Sequence, residues 1–318
     1  MTAADRDLTG PLTDPALQRP AVPPPEAEPQ KPARNRRGIL LMCVVSLVFA
    51  IQDSLSRELG SEYSPFLVVM LRYWFMVIFV SVIVSRAPGG FRAAARSRRP
   101  WLQIARALLL IADIVLAIFA FVRLGLVNAH AIMASYPLMI VALSGPILGE
   151  RIGWRRWTAV GVGFMGMMIV LRPGSGAMSP DMLFALGAAA TFALYGVLTR
   201  LASRHDPSTV SFFWTSIGGA AAITLVGLMH WEALAPADWL LLAALCLCAA
   251  TSHWLLILAY EMAEASVLQP FAYTQLMWIV IIGTVFYSER LAPNVVVGVT
   301  IIVGAGLFSL WRARMRAG

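Results

Sequence analysis

The sequence predicts an all-α integral membrane protein of ten transmembrane helices, arranged as two inverted five-helix repeats. Three observations carry that expectation. Apolar runs of about 20 residues, the length that crosses a hydrocarbon core of about 30 Å as a helix, recur along the chain. Of its 318 residues 59% are hydrophobic and only 13% are charged, too little polar surface for a water-soluble fold of this size. Two short segments also recur at nearly constant offsets between the halves.

The runs are expected to be helical because lipid cannot solvate open backbone. They do not alternate, which argues against a β-barrel. Residues 1–37 hold eight of the 19 prolines and no apolar run, and read as a disordered cytoplasmic tail. The first run follows Arg36 and Arg37 and is long enough to span, unlike a cleavable leader. The expected spans are 38–59, 65–85, 101–122, 127–148, 154–171, 181–201, 209–230, 237–260, 266–286 and 293–311. Pro65, Pro173, Pro207, Pro236 and Pro293 punctuate their boundaries.

The net charge of +8 does not indicate nucleic acid, because its distribution is an orientation signal. With the N-terminus inside, the inner segments from Lys31 onward carry 17 basic residues, among them Arg36, Arg92, Arg155, Arg204 and Arg314; the outer ones carry four, Arg57, Arg123, Arg172 and Arg290. Both termini are therefore expected on the cytoplasmic face. Cys43, Cys246 and Cys248 lie within apolar runs without metal-ligand spacing.

The internal repeat sets the architecture. Phe49-Ala-Ile-Gln-Asp-Ser-Leu-Ser-Arg57 matches Phe192-Ala-Leu-Tyr-Gly-Val-Leu-Thr-Arg200 at an offset of 143, and Leu148-Gly-Glu-Arg151 matches Tyr287-Ser-Glu-Arg290 at 139. Each half then holds five spans, 38–174 and 181–311. An odd number inverts the second half relative to the first, an architecture of secondary transporters with the substrate site between the halves.

Charges within spans are costly and face a cavity or a partner. Arg72, Asp113 and Asp53 share a depth band, roughly 10, 14 and 9 Å from the outer ends of their spans at a helical rise of 1.5 Å per residue. Arg72 is expected to be balanced by Asp113 or Asp53 at a cavity wall, as a substrate or proton site or as a structural pair. His253, deep in the eighth span, reads either as a proton relay or as a hydrogen-bonding group between helices; His130, near an outer end, is a weaker candidate. Gln52, Tyr136, Tyr195, Trp214, Tyr273, Gln275 and Trp278 lie at central depth, where flat apolar faces with polar tips suit a planar ligand. Trp101, Trp154, Trp157, Trp239 and Trp311 read as an interfacial belt. Arg106, near an inner end, is expected to snorkel. Glycines 161, 163, 166, 298, 304 and 306 read as packing or dimer surfaces. Glu150 and Glu289 stand at the starts of the fifth and tenth spans, where a carboxylate meets the positive end of the helix dipole, and read as folding and orientation elements rather than substrate ligands.

The stretch from Arg106-Ala-Leu-Leu-Leu through Ala134-Ser-Tyr-Pro-Leu138, Leu148-Gly-Glu-Arg-Ile-Gly-Trp-Arg-Arg-Trp157, Gly163-Phe-Met-Gly166 and Leu171-Arg-Pro-Gly174 resembles the EamA group of the drug/metabolite transporter superfamily. Asp53-Ser-Leu-Ser-Arg57 and Leu71-Arg72 look similar too, and the resemblance covers about 38–311. It implies ten helices, a central cavity and transport of a small organic metabolite across a bacterial inner membrane by alternating access. Within the group the pattern is most similar to members that take up riboflavin or S-adenosylmethionine; an amino acid is the alternative cargo. Pro137 and Arg72 are matched by Leu276 and Thr215 in the second half, so the cavity walls are chemically unequal. The expected partners are a small-molecule substrate and the lipid bilayer, with no nucleic acid, no metal and no cofactor, in a monomer or homodimer. Lys31, the only lysine, lies in the tail, so there is no Walker A motif; hydrolase and metalloprotease motifs are lacking as well. A channel, a membrane scaffold or an intramembrane enzyme are the competing classes.

Overall fold

The computed structural model describes residues 30–87, 89–150, 153–172 and 179–314. Residues 1–29 of the expected tail lie outside them, as do Arg151, Pro173 and Arg316 and the side chains of Arg155, Arg156 and Trp311. The described residues form thirteen helices and no strand: α1 (Gln30–Glu62), α2 (Pro65–Arg86), α3 (Gly90–Ala95), α4 (Pro100–Leu124), α5 (Leu126–Met133), α6 (Tyr136–Leu148), α7 (Trp154–Leu171), α8 (Met182–Ala202), α9 (Ser208–Met229), α10 (Asp238–Met262), α11 (Ala265–Ala272), α12 (Thr274–Phe286) and α13 (Pro293–Arg314). Eight helical units are long and apolar enough to cross a membrane, counting α5 with α6 and α11 with α12; α7 and α13 contribute two shorter apolar stretches.

Helix α1 starts within the segment expected to be a disordered tail. Residues 30–37 are rich in Gln, Lys, Ala and Arg, which favour helix, and Pro32 sits in the first turn, where a missing N–H costs little. Prolines also open α2 and α4. The fourth and ninth expected spans are not continuous. Pro137 has no N–H to offer the Met133 carbonyl, and the chain tightens there through bonds from Ser135 N–H to Ile132 O and from Leu138 N–H to Ser135 O. The second break falls at Tyr273, three residues after Pro270, with Leu276 N–H bonded to Tyr273 O. Such freed backbone is tolerated in a membrane only where protein or a cavity surrounds it.

The most extensive helix pairs are α1 with α10, α7 with α13, α4 with α8 and α2 with α9. Each joins a helix before residue 173 to one after residue 178, so the two stretches interlock. Gly166 and Gly298 let α7 and α13 touch backbone to backbone: a Cβ on Gly298 would stand 2.6 Å from the Gly166 carbonyl oxygen. These glycines are packing surfaces within the chain. Large apolar side chains such as Leu40, Val44, Ile78, Met165, Leu225, Leu240 and Val285 stand exposed on the helix exteriors, as lipid-facing residues do. Trp101, Trp154, Trp157 and Trp239 are exposed as an interfacial belt requires.

Two expectations are corrected here. Arg106 does not snorkel. It is fully buried, donates from Nε to Thr199 Oγ1 at 3.0 Å and from Nη1 to Gln103 Oε1, and lies over the Tyr195 ring. Glu289 does cap a helix, but not the one it precedes: its carboxylate accepts the N–H groups of Leu126 and Val127 at the start of α5.

Candidate functional site

Phe49, Gln52, Asp53 and Ser56 fall at i, i+3, i+4 and i+7, one face of α1. They border a cavity with about 510 Å³ of space between atoms, part of it continuous with solvent. Helix α4 adds Asp113, Ile114, Ala117, Ile118 and Phe121. His130, Met133 and Tyr136 flank the break between α5 and α6, and Gln275 follows the break between α11 and α12. Arg72, Phe192 and His253 complete the wall. Of the residues singled out in the sequence, Gln52, Asp53, Arg72, Asp113, Tyr136, His253 and Gln275 therefore converge.

Arg72 is fully buried, and its partner is not a carboxylate. Its Nη2 donates to His253 Nε2 at 2.9 Å. An arginine cannot accept, so His253 takes this bond as a neutral ring with its proton on Nδ1; Nδ1 itself has no hydrogen-bond partner. The expected ion pair from Arg72 to Asp113 or Asp53 is not formed within 4.0 Å. His253 holds the guanidinium in place, and a proton on Nε2 is incompatible with this contact.

Asp53 is instead the centre of a network. Its Oδ2 lies 3.1 Å from His130 Nε2 and accepts from Gln275 Nε2 at 2.9 Å; its Oδ1 accepts from Gln52 Nε2 at 3.2 Å. Gln52 Oε1 in turn accepts from Ser252 Oγ at 3.0 Å. His130 Nδ1 faces the Leu126 carbonyl at 3.0 Å, so that nitrogen carries a proton. The opposite nitrogen faces a carboxylate, and the contact is satisfied only when a second proton sits on His130 or on Asp53. Asp113, 6% exposed, differs: its Oδ1 is buried without any hydrogen-bond partner.

Aromatic rings line the rest. Phe121 stacks on His130 at 4.9 Å and 7°, Tyr136 meets Phe192 edge to face at 4.9 Å, and Phe49 meets His253 at 5.2 Å.

The remaining expected residues lie elsewhere. Tyr273 borders a small adjoining recess with His130, Tyr136 and Gln275. Tyr195 is buried behind Phe192, beneath Arg106. Trp214 is turned away and donates to the Ala95 carbonyl at 3.3 Å. Trp278 is packed, partly buried, against a separate apolar cluster. Position along a span does not say which way a helix faces, and these two side chains do not border the cavity. His130, ranked low from its place near a span end, is a principal wall residue because the broken helix turns it inward. Phe49, Ser56, Phe121 and Phe192 were also missed; Phe49 and Ser56 could have been found from their helical spacing to Gln52 and Asp53.

The model of the EamA-like transporter family matches this chain twice, at residues 36–172 and 180–311. The chain belongs to the EamA-like transporter family. Among its relatives are an S-adenosylmethionine uptake transporter of Rickettsia prowazekii, 24% identical over 86% of this chain and 92% of that protein, and a riboflavin transporter of Vibrio cholerae, 25% identical over 84% and 90%. A protein crystal structure shares the fold, with a TM-score of 0.62, 18% identity and coverage of 90% of this chain and 98% of that one. This EamA-like protein is thus a membrane transporter of small metabolites and not an enzyme.

Proposed function

We propose that this chain is a ten-span secondary transporter with both termini on the cytoplasmic face of a bacterial inner membrane. Its two inverted halves, 38–174 and 181–311, rock about the cavity. The cargo combines a planar heteroaromatic ring with a positive charge, as S-adenosylmethionine does. The observation that carries this reading is the buried Oδ1 of Asp113, which has no hydrogen-bond partner, in an aromatic-walled cavity. A carboxylate left alone in a low-dielectric wall is costly and suits a cationic group brought by a ligand, while Phe49, Phe121, Tyr136 and Phe192 offer faces for a flat ring. A neutral flavin would use the rings but bring no charge to Asp113. The relatives named for these two cargoes support the size and planarity of the ligand.

Thermal shift on purified protein tests the cargo, because a ligand that binds the folded state raises its apparent stability. S-adenosylmethionine is expected to stabilise, riboflavin less so. Stabilisation by amino acids alone would remove the proposal. Saturable uptake with counterflow in proteoliposomes separates a carrier from a channel. Impermeant labelling of tags at the two ends tests topology; ends on opposite faces contradict the ten-span arrangement.

A further inference from the structure

Two turns of the chain share one backbone form. Gly149, with φ 70°, precedes Glu150, and Ser288, with φ 52°, precedes Glu289. Glu150 N–H donates to Ser144 O at 3.3 Å, and Glu289 N–H to Gly283 O at 3.0 Å, spanning the same number of residues. Their side chains differ completely. The Glu289 carboxylate forms an ion pair with Arg57, at the outer part of α1, and accepts the N–H groups of Leu126 and Val127 at 2.9 and 2.8 Å. Tyr287 lies under the Arg57 guanidinium at 4.1 Å. Gly125, with φ +81°, makes room: a Cβ there would stand 2.8 Å from the carboxylate. The joint ties α1, α5 and the α12–α13 turn together.

The same parts exist around the other turn. Arg200 stands 143 residues after Arg57, and Ala265 and Ser266 stand 139 after Leu126 and Val127. Here the corresponding carboxylate joint is not made among the described residues. Both carboxylate oxygens of Glu150 are buried with no hydrogen-bond partner, as are Arg200 Nε and Ser266 Oγ. Arg200 Nη1 is spent on the Tyr260 carbonyl at 2.8 Å.

We propose that Arg57–Glu289 and Arg200–Glu150 are paired latches that exchange during transport, an inference that rests on the inverted-repeat reading above. The structure has the first latch joined and the second parted. In the opposite-facing state Glu150 reaches Arg200 and the start of α11, and Glu289 lets α5 go. An unpaired buried carboxylate is costly in either state, so each latch is stabilised where the other is not, and the pair favours two discrete arrangements over a continuum. The latches are unequal. Gly125 is matched by Glu264 and Tyr287 by Leu148, which puts an acid where the first latch has open space and removes the aromatic platform. Arg204, which donates to the Leu148 carbonyl at 2.8 Å, also stands by the second latch. The first latch is the stronger one, in keeping with its being the one that is closed.

Amide hydrogen exchange tests this without any substrate. In the parent, peptides holding Leu126 and Val127 are expected to exchange more slowly than those holding Ala265 and Ser266. Glu289→Gln should speed the first set about tenfold, the size of change that breaking one such contact makes in a population, and slow the second set. Arg57→Gln should do the same. Glu150→Gln and Arg200→Gln should move both sets the other way, and these cover the case in which the first two variants fail to fold. Faster exchange at α5 with no change at α11 marks Glu289 as a local cap and overturns the exchange. Cysteines at Arg86 and Arg123 report sidedness separately. Labelling of both from one face sinks the topology and the latches with it; opposite faces with uncoupled exchange sink the latches alone.

Discussion

At the scale of single residues, the two cavity carboxylates ask for different things from their surroundings. Asp53 is fully engaged by His130, Gln275 and Gln52, whereas Asp113 Oδ1 has no partner. Removing charge from a group with no partner relieves a desolvation cost; removing it from a networked group orphans several donors. Asp113→Asn is therefore expected to raise the apparent Tm, by about 2–4 °C for each kcal/mol relieved, while weakening cationic-ligand binding about tenfold or more. Asp53→Asn should lower the Tm and transport together. Thermal melts with and without S-adenosylmethionine check both, and a lower Tm for Asp113→Asn would contradict the unpartnered carboxylate. The sequence made both acids visible because charges inside apolar runs are conspicuous. It could not reveal that Arg72 pairs with His253, since that contact joins residues 181 positions apart and depends on how α2 and α10 are rotated.

At the scale of elements, the spans were legible because hydrophobic length is written locally, and their interruptions were less so. Pro137 explains the break before α6, yet Pro146 sits inside α6 without ending it; whether a proline breaks a helix depends on what receives the freed carbonyl. The connections obey the same logic. Asp206, in the turn between α8 and α9, accepts from Ser97 Oγ at 2.5 Å, Arg98 N–H at 2.9 Å and Gln103 Nε2 at 2.9 Å, fastening the approach to α4. Burial pushes its acidity the other way, but the hydrogen bonds from Ser97, Arg98 and Gln103 outweigh it and hold the carboxyl below its usual range. A lowered folded value means that the stabilisation is fully present above the ordinary aspartate value of about 3.9 and is lost as pH falls through the lower, folded one. Asp206→Asn should cost about 1.5–3 kcal/mol near neutrality, as hydrogen bonds to a charged group do. The gap in Tm between parent and variant should be constant above about pH 5 and close below about pH 4. A gap that widens in acid would show that the carboxylate is not the stabilising form.

At the scale of the whole molecule, the repeat in the sequence and the interlocking of the helices make different statements. The repeat, seen in Phe49–Arg57 against Phe192–Arg200 and again in the two matches of the family model, suggests two similar units. The packing ties each unit to the other more extensively than to itself, through α1 with α10, α2 with α9, α4 with α8 and α7 with α13. That partnership was not legible, because two halves with the same hydrophobic pattern could as well have packed side by side as separate bundles. It has a measurable consequence. A unit that must bury its inner faces against a second unit lacks a complete core alone, and its polar groups, such as Arg72 without His253 and Asp53 without Gln275, lose the partners that satisfy them. Residues 1–176 and 177–318 expressed separately should therefore fail to give a monodisperse species with a cooperative melt. Co-expressed as two chains, they should assemble and regain a Tm within a few degrees of the intact protein, since a cut between 176 and 177 removes none of these contacts. Size-exclusion chromatography and thermal unfolding of each half and of the pair decide the matter. A first half that folds and melts cooperatively by itself would mean that the interface between the units is secondary, and a transporter built on rocking between them would then have to hold its cavity together by some other contact.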